Sequence, residues 1–157
     1  MPYSGSGVLG SALAMDKIRS KQVWQAAGLP TPVFTRLNQQ SDFAQVLQNL
    51  AGTAFVKPAT EGSSFGMGIA TSEADLRKAF DNAYAFDTNV LAEQVVQGDE
   101  YTVAILGDKA LAPIRIETDR DFYDFQAKYQ DNTTQFHIPS GLNADDEQRI
   151  RQLALQA

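Results

Sequence analysis

The chain has 157 residues, 43% of them hydrophobic and 20% charged, which suits one globular core or two small lobes and argues against a disordered chain. A net charge of −6 argues against a nucleic-acid partner, which a protein usually meets with a basic face, but leaves room for a nucleoside triphosphate held by a few local lysines. With no cysteine, disulfides and thiolate metal sites are excluded; no apolar run approaches the ~20 residues that span a bilayer, and Met1-Pro2-Tyr3-Ser4-Gly5-Ser6-Gly7 lacks the basic and apolar regions of a signal peptide, so the expected setting is cytoplasmic, with no membrane partner.

The opening Ser4-Gly5-Ser6-Gly7 reads as a loop. A first helix is predicted over 12–27, stopped by Gly28 at the position of a left-handed C′ residue and by Pro30. A second follows Ser41 as N-cap, with Phe43, Val46, Leu47 and Leu50 on one face. Thr53-Ala54-Phe55-Val56 is a strand that ends at Lys57-Pro58, because proline has no amide for the ladder, and Gly68-Ile69-Ala70 is its return. Ser72 opens a third helix with Asp75 three residues on, a variant capping box, and Leu76, Ala79, Phe80 and Ala83 keep the helical spacing. Strands are predicted over 90–96 and 101–106, joined by Gln97-Gly98-Asp99, and over 111–117 after a turn at Gly107-Asp108-Lys109. The polar, aromatic-rich stretch 119–141 has no period and reads as a functional or disordered loop. A last helix begins near Asn143, its N-terminal dipole matched by Asp145, Asp146 and Glu147, with Ile150, Leu153 and Ala154 on its apolar side. Its pattern is still helical at Ala157, from which a continuing natural chain is expected. These elements predict an α+β arrangement with mostly antiparallel sheets in two lobes divided near Gln97-Gly98.

Three segments bear on chemistry. In Val56-Lys57-Pro58-Ala59-Thr60-Glu61-Gly62-Ser63-Ser64-Phe65-Gly66-Met67-Gly68, glycines allow close backbone approach, while amides, hydroxyls and a lysine at the strand end suit phosphate oxygens. It is no P-loop, since it joins strand to strand and lacks the Lys-Ser/Thr ending. Alone, a glycine-rich hairpin with a surface lysine describes it slightly better. In Leu91 through Val103, a strand turns through Gly98-Asp99 to Glu100, whose carboxylate suits two ribose hydroxyls; a plain hairpin with a solvated glutamate fits the same residues. In Asp121 through Tyr129, aromatic residues and one lysine suit either a lid over a nucleotide or simple packing. His137, the sole histidine, is assigned no role.

Taken in order, Pro2 through Gly7, Met15-Asp16-Lys17, Gly28-Leu29-Pro30, Val56-Lys57-Pro58, Glu61-Gly62-Ser63-Ser64, Gly98 through Val103, Phe122-Tyr123-Asp124 and Ala127-Lys128-Tyr129 resemble the D-alanine–D-alanine ligases of the ATP-grasp superfamily, over essentially the whole chain. The resemblance implies an ATP-grasp fold, with a central lobe at 1–97 (linker 1–11) and the incomplete start of a second lobe at 98–157, including the loop 119–141. It implies that ATP phosphorylates one D-alanine and that the amine of a second attacks the acyl phosphate, giving a dipeptide for peptidoglycan precursors. It implies that Lys17, Lys57 and Lys128 contact ATP phosphates, that Ser64 sits in the phosphate-covering loop, that Glu93 and Val96 border the adenine, that Glu100 holds the ribose and that Phe122 lies beside the purine. Ser63 and Tyr129 are implied on the catalytic, substrate-facing side of the lid. Mg2+ or Mn2+ is implied, with ligands beyond this chain, as is an N-terminal domain that helps hold the first D-alanine; the 157 residues alone are expected to be inactive. Gln94 stands where the family often has lysine, and Thr60 where it often has arginine, which points to weaker nucleotide affinity at the first position. A homodimer of the longer protein stays open. Two alternatives stand beside this reading: another ATP-grasp carboxylate–amine ligase, and a non-catalytic nucleotide-binding module.

Overall fold

A computed structural model of the chain describes residues 3–118 and 133–157. It breaks the first predicted helix in two, α1 (Val8–Ala14) and α2 (Lys17–Ala26). The cause is Asp16, which sits in extended geometry and accepts a hydrogen bond from the Arg19 amide at 3.0 Å, so its side chain caps a new helix instead of continuing the old one. At the other end of α2, Gly28 takes φ +73° while its amide donates to the Gln25 carbonyl and the Leu29 amide to that of Trp24, the paired bonds of a Schellman stop.

Two compact units follow one another, Met1–Val96 and Gln97–Ala157. In the first, β1 (Phe34–Leu37), β2 (Ala54–Pro58), β3 (Gly68–Ala70) and β4 (Val90–Gln94) form an antiparallel sheet in the order β1-β4-β2-β3. The predicted strand 90–96 thus ends at Gln94. Helices α3 (Phe43–Asn49) and α4 (Glu73–Tyr84) build the core with one sheet face, where Leu37, Leu50, Val56, Leu76 and Val90 surround Phe43 and Phe80, whose rings meet edge to face at 5.6 Å. The N-cap of α3 is Asp42, which accepts from the Gln45 amide at 3.0 Å, and not Ser41, whose hydroxyl accepts from the Asn38 amide in the preceding turn. Ser72 caps α4 as expected: it accepts from the Asp75 amide and donates to the Asp75 carboxylate. Along β2, Ala54, Val56 and Pro58 are buried in this core while Phe55 and Lys57 alternate to the opposite face.

In the second unit, β5 (Glu100–Thr102), β8 (Ile114–Glu117) and β9 (Gln135–His137) pair antiparallel in the order β5-β8-β9, and β6 (Ile105–Leu106) pairs with β7 (Lys109–Ala110). The predicted strand 101–106 is therefore two strands, and Lys109 belongs to β7 rather than to the turn, which Gly107 makes at φ +64°. The expected strand 111–117 starts only at Ile114, because buried Pro113 has no amide to pair and the Leu111 amide is committed to the Ala104 carbonyl. Part of the predicted loop is strand: Gln135-Phe136-His137 pairs with β8, and the His137 Nε2 lies 2.9 Å from the Glu117 carboxylate. Helix α5 (Ala144–Gln156) is capped by Asn143, which accepts from the Asp146 amide, and Arg151 ties it to the Leu111 carbonyl at 3.1 Å. Ile150, Leu153 and Ala154 are half-buried. Among the described residues no helix is long and apolar enough to cross a membrane.

Candidate functional site

The face of the first unit's sheet opposite its core carries an unusual concentration of cations. Glu93 lies on the central strand β4, with Phe34 of β1 and Phe55 of β2 in register on either side. Lys57 is two residues beyond Phe55 and opposite Leu91, so its side chain shares the Glu93 face and reaches that carboxylate diagonally. The Lys57 ammonium donates to Glu93 Oε1 and lies 4.1 Å from the centre of the Phe55 ring. From α2, Lys21 contacts Glu93 Oε2 at 2.6 Å and donates to the Thr31 hydroxyl at 2.7 Å. Burial by itself pushes the Glu93 carboxyl upward, but the charges and hydrogen bonds of Lys57 and Lys21 outweigh it and hold the group below its ordinary value of 4.5. One carboxylate facing two ammonium groups leaves the cluster with excess positive charge.

These side chains line a cavity of about 400 Å³ whose wall also includes Lys17, Trp24 and Thr31. Lys17 is the first residue of α2; its amide donates to the Ala59 carbonyl at 2.9 Å, and its ammonium donates to the Glu61 carbonyl at 2.5 Å. The start of α2 is thereby fastened to the segment that leaves β2. That segment is conformationally costly: Ser63 and Ser64 have φ +51° and +63°, a region that non-glycine residues enter at roughly 1–2 kcal/mol each. At Gly66, φ is +68° and an added Cβ would stand 2.8 Å from the Phe86 ring and 2.9 Å from Pro58, so only glycine fits. Asp87 anchors the other side, accepting from the Thr60 amide and hydroxyl and from the Asn89 amide. Burial acts to raise its carboxyl, and these hydrogen bonds from Asn89 and Thr60 together outweigh it.

The structure thus brings Lys17, Lys57 and Glu93 into one cavity wall, with Ser63 and Ser64 in the strained loop that Lys17 holds. Val96 is exposed at the end of the first unit, and Glu100 is exposed at the start of β5 opposite Ile116. Phe122, Lys128 and Tyr129 lie outside the described residues. The sequence reading missed Lys21, although its spacing of four from Lys17 places both on one helix face.

An antiparallel sheet backed by two helices, with lysines gathered on its free face beside a glycine- and serine-rich hairpin loop, defines an α+β class with a cationic cavity. The sequence matches the family described as D-ala D-ala ligase C-terminus over residues 23–157, and the chain belongs to that family. It is 52% identical over 162 aligned residues to a D-alanine--D-alanine ligase of Idiomarina loihiensis, covering all of this chain and 52% of that protein. Among solved structures it resembles D-alanyl-alanine synthetase A of Vibrio cholerae, with a TM-score of 0.81 and 28% identity over 99% of this chain and 50% of that one. It resembles a Bacillus anthracis D-alanine--D-alanine ligase complexed with ATP at a TM-score of 0.80 and 27% identity, over 99% of this chain and 49% of that one. The fold is therefore of the ATP-grasp type. The chain spans about half the length of the curated relatives it matches.

Proposed function

We propose that this chain is the ATP-binding region of a D-alanine–D-alanine ligase, which makes the D-alanyl-D-alanine dipeptide through an acyl phosphate. The observation that carries the proposal is the convergence of Lys17, Lys21 and Lys57 on one cavity with Glu93 as the only carboxylate on its wall among the described residues, beside the Ser63-Ser64 loop. Phosphoryl transfer has little covalent chemistry for a protein to supply, so fixed cations and amides around the phosphates are the main device. Lys17 and Lys57 take the phosphates, and Ser64 covers them. The β4 strand at Glu93 and the Val96 backbone border the adenine, and Glu100 accepts from the ribose hydroxyls. Phe122 and Lys128 serve the purine and the phosphates, and Ser63 and Tyr129 face the D-alanine side.

Mg2+ or Mn2+ takes its ligands from beyond this chain in this reading. Asp145, Asp146 and Glu147 are consecutive on α5 and point around the helix instead of converging. Residues 1–97 serve as the central lobe and 98–157 as part of the second, in a cytoplasmic enzyme that supplies peptidoglycan precursors. The test is ADP and D-alanyl-D-alanine formation by the ligase that carries this region. Lys57→Ala is expected to lower kcat/KM for ATP by roughly ten- to over a hundredfold, the value of a charge-assisted contact. An unchanged kcat/KM refutes the assignment. The 157-residue chain by itself is expected to form no dipeptide; formation above the Lys57→Ala background contradicts that.

A further inference from the structure

Lys21 and Lys57 divide the Glu93 carboxylate between them, but they are not equivalent. The Lys21 side chain is 6% exposed and fixed to two acceptors, Glu93 Oε2 and the Thr31 hydroxyl. The Lys57 side chain is 19% exposed and has Glu93 Oε1 and the Phe55 ring face. A phosphate bound in this cavity would draw Lys57 toward it. Were Lys57 the sole counter-ion, that turn would strand a carboxylate that is itself only 10% exposed, a heavy penalty in a desolvated site.

We propose that Lys21 is a positioning residue that holds Glu93 through Oε2, so that Lys57 can turn from Oε1 to a bound triphosphate without leaving the carboxylate unpaired. The inference rests on the reading of the cavity as an ATP site and adds how its cations are shared. Among the described residues, Lys21 from α2 and Lys57 from β2 pair with Glu93, and Lys17 from α2 lines the same cavity; Arg36, on β1, donates to the Asn89 side chain at 2.5 Å. Lys17 donates to the Glu61 carbonyl of the loop, and among the described residues Lys21 is the cation that stays in direct contact with Glu93 once Lys57 has turned. Because protonation of Glu93 removes the charge that Lys57 would strand, the role appears in the pH dependence of nucleotide binding.

The experiment titrates ATP into this chain and into its Lys21→Met, Glu93→Gln and doubly substituted variants between pH 4.5 and 8. The signal is fluorescence of Trp24, the only tryptophan, which lines the cavity. Lys21→Met is expected to weaken ATP about tenfold at pH 7.5, and this deficit is expected to shrink as pH falls and Glu93 takes up a proton. In the Glu93→Gln background the same substitution is expected to matter by less than about twofold, because the partner through which it acts is gone. Thr31→Val, which loosens Lys21 without uncovering a charge, is expected to act in the same direction by about threefold and serves if Lys21→Met does not fold. A full tenfold loss repeated in the Glu93→Gln background, or a deficit that grows as pH falls, overturns the proposal. So does a lower melting temperature with a binding deficit that does not change with pH, the mark of a merely structural lysine. If the unmodified chain binds no ATP, the ATP reading fails, and carboxyl NMR of Glu93 still decides the role of Lys21. A Glu93 titration that moves up in Lys21→Met, or in Thr31→Val, supports the role, and one that does not move overturns it.

Discussion

Replacing Glu93 with glutamine removes the one anion that compensates Lys21 and Lys57, while keeping shape and volume. The amide also turns an NH2 group toward one of the two ammonium groups. Breaking a buried pair by removing one partner costs about 3–5 kcal/mol; the partial exposure of Lys57 places this case near the lower end, at about 3 kcal/mol. For a unit the size of Met1–Val96 each kcal/mol shifts Tm by roughly 4–8 °C, so a fall of roughly 12–24 °C is expected at pH 7.5. Urea unfolding followed by Trp24 fluorescence gives the same quantity as a lower midpoint with an unchanged slope. The sign of the pH dependence follows from the lowered Glu93 carboxyl: its contribution is complete above the ordinary value of 4.5 and is lost as pH falls through its lower folded value. The gap between the two proteins is therefore constant at neutral pH and closes below about pH 4.5. Equal stability at pH 7.5, or a gap that widens in acid, refutes the reasoning.

Phe80→Ala should destabilise the first unit by about 3–5 kcal/mol in urea unfolding, since its buried ring, on α4, packs on Phe43 in the core. Asp42→Ala should cost about 1 kcal/mol as the true cap of α3, and Ser41→Ala measurably less; the reverse order would restore Ser41 as the cap. Gly66→Ala should destabilise by about 1–3 kcal/mol and weaken ATP binding, because the new methyl meets Phe86 and Pro58 in a left-handed backbone; a neutral result would mean that the loop relaxes freely.

What could be read in the sequence was what local chemistry decides. Gly28 as a helix stop, the Ser72–Asp75 cap and the hairpin punctuated by Lys57-Pro58 all follow from residues a few positions apart. Where two local signals compete, the reading erred: Asp16 lies inside a helical apolar pattern yet caps a new helix, and Ser41 and Asp42 are adjacent good caps between which only the course of the chain decides. Strand β9 is three residues long, too short for alternation to show. The cation cluster was half legible. Lys17 and Lys57 stand beside motifs, but Lys21 acquires its role from Glu93 and Thr31, which only the folded sheet brings to it. Sheet register, which sets Lys57 diagonal to Glu93, is a tertiary fact.

The claim on which the account depends is that the Lys17–Lys21–Lys57 cavity holds the phosphates of ATP, and calorimetric titration of ATP into the 157-residue chain tests it most directly. Lys57→Met is the informative comparison, because Lys21 still pairs with Glu93. Saturable binding that weakens by about ten- to a hundredfold in Lys57→Met, with adenosine binding equally weakly to both proteins, is the predicted result. The same ATP affinity in both proteins, or no saturable binding to the unmodified chain, would contradict it.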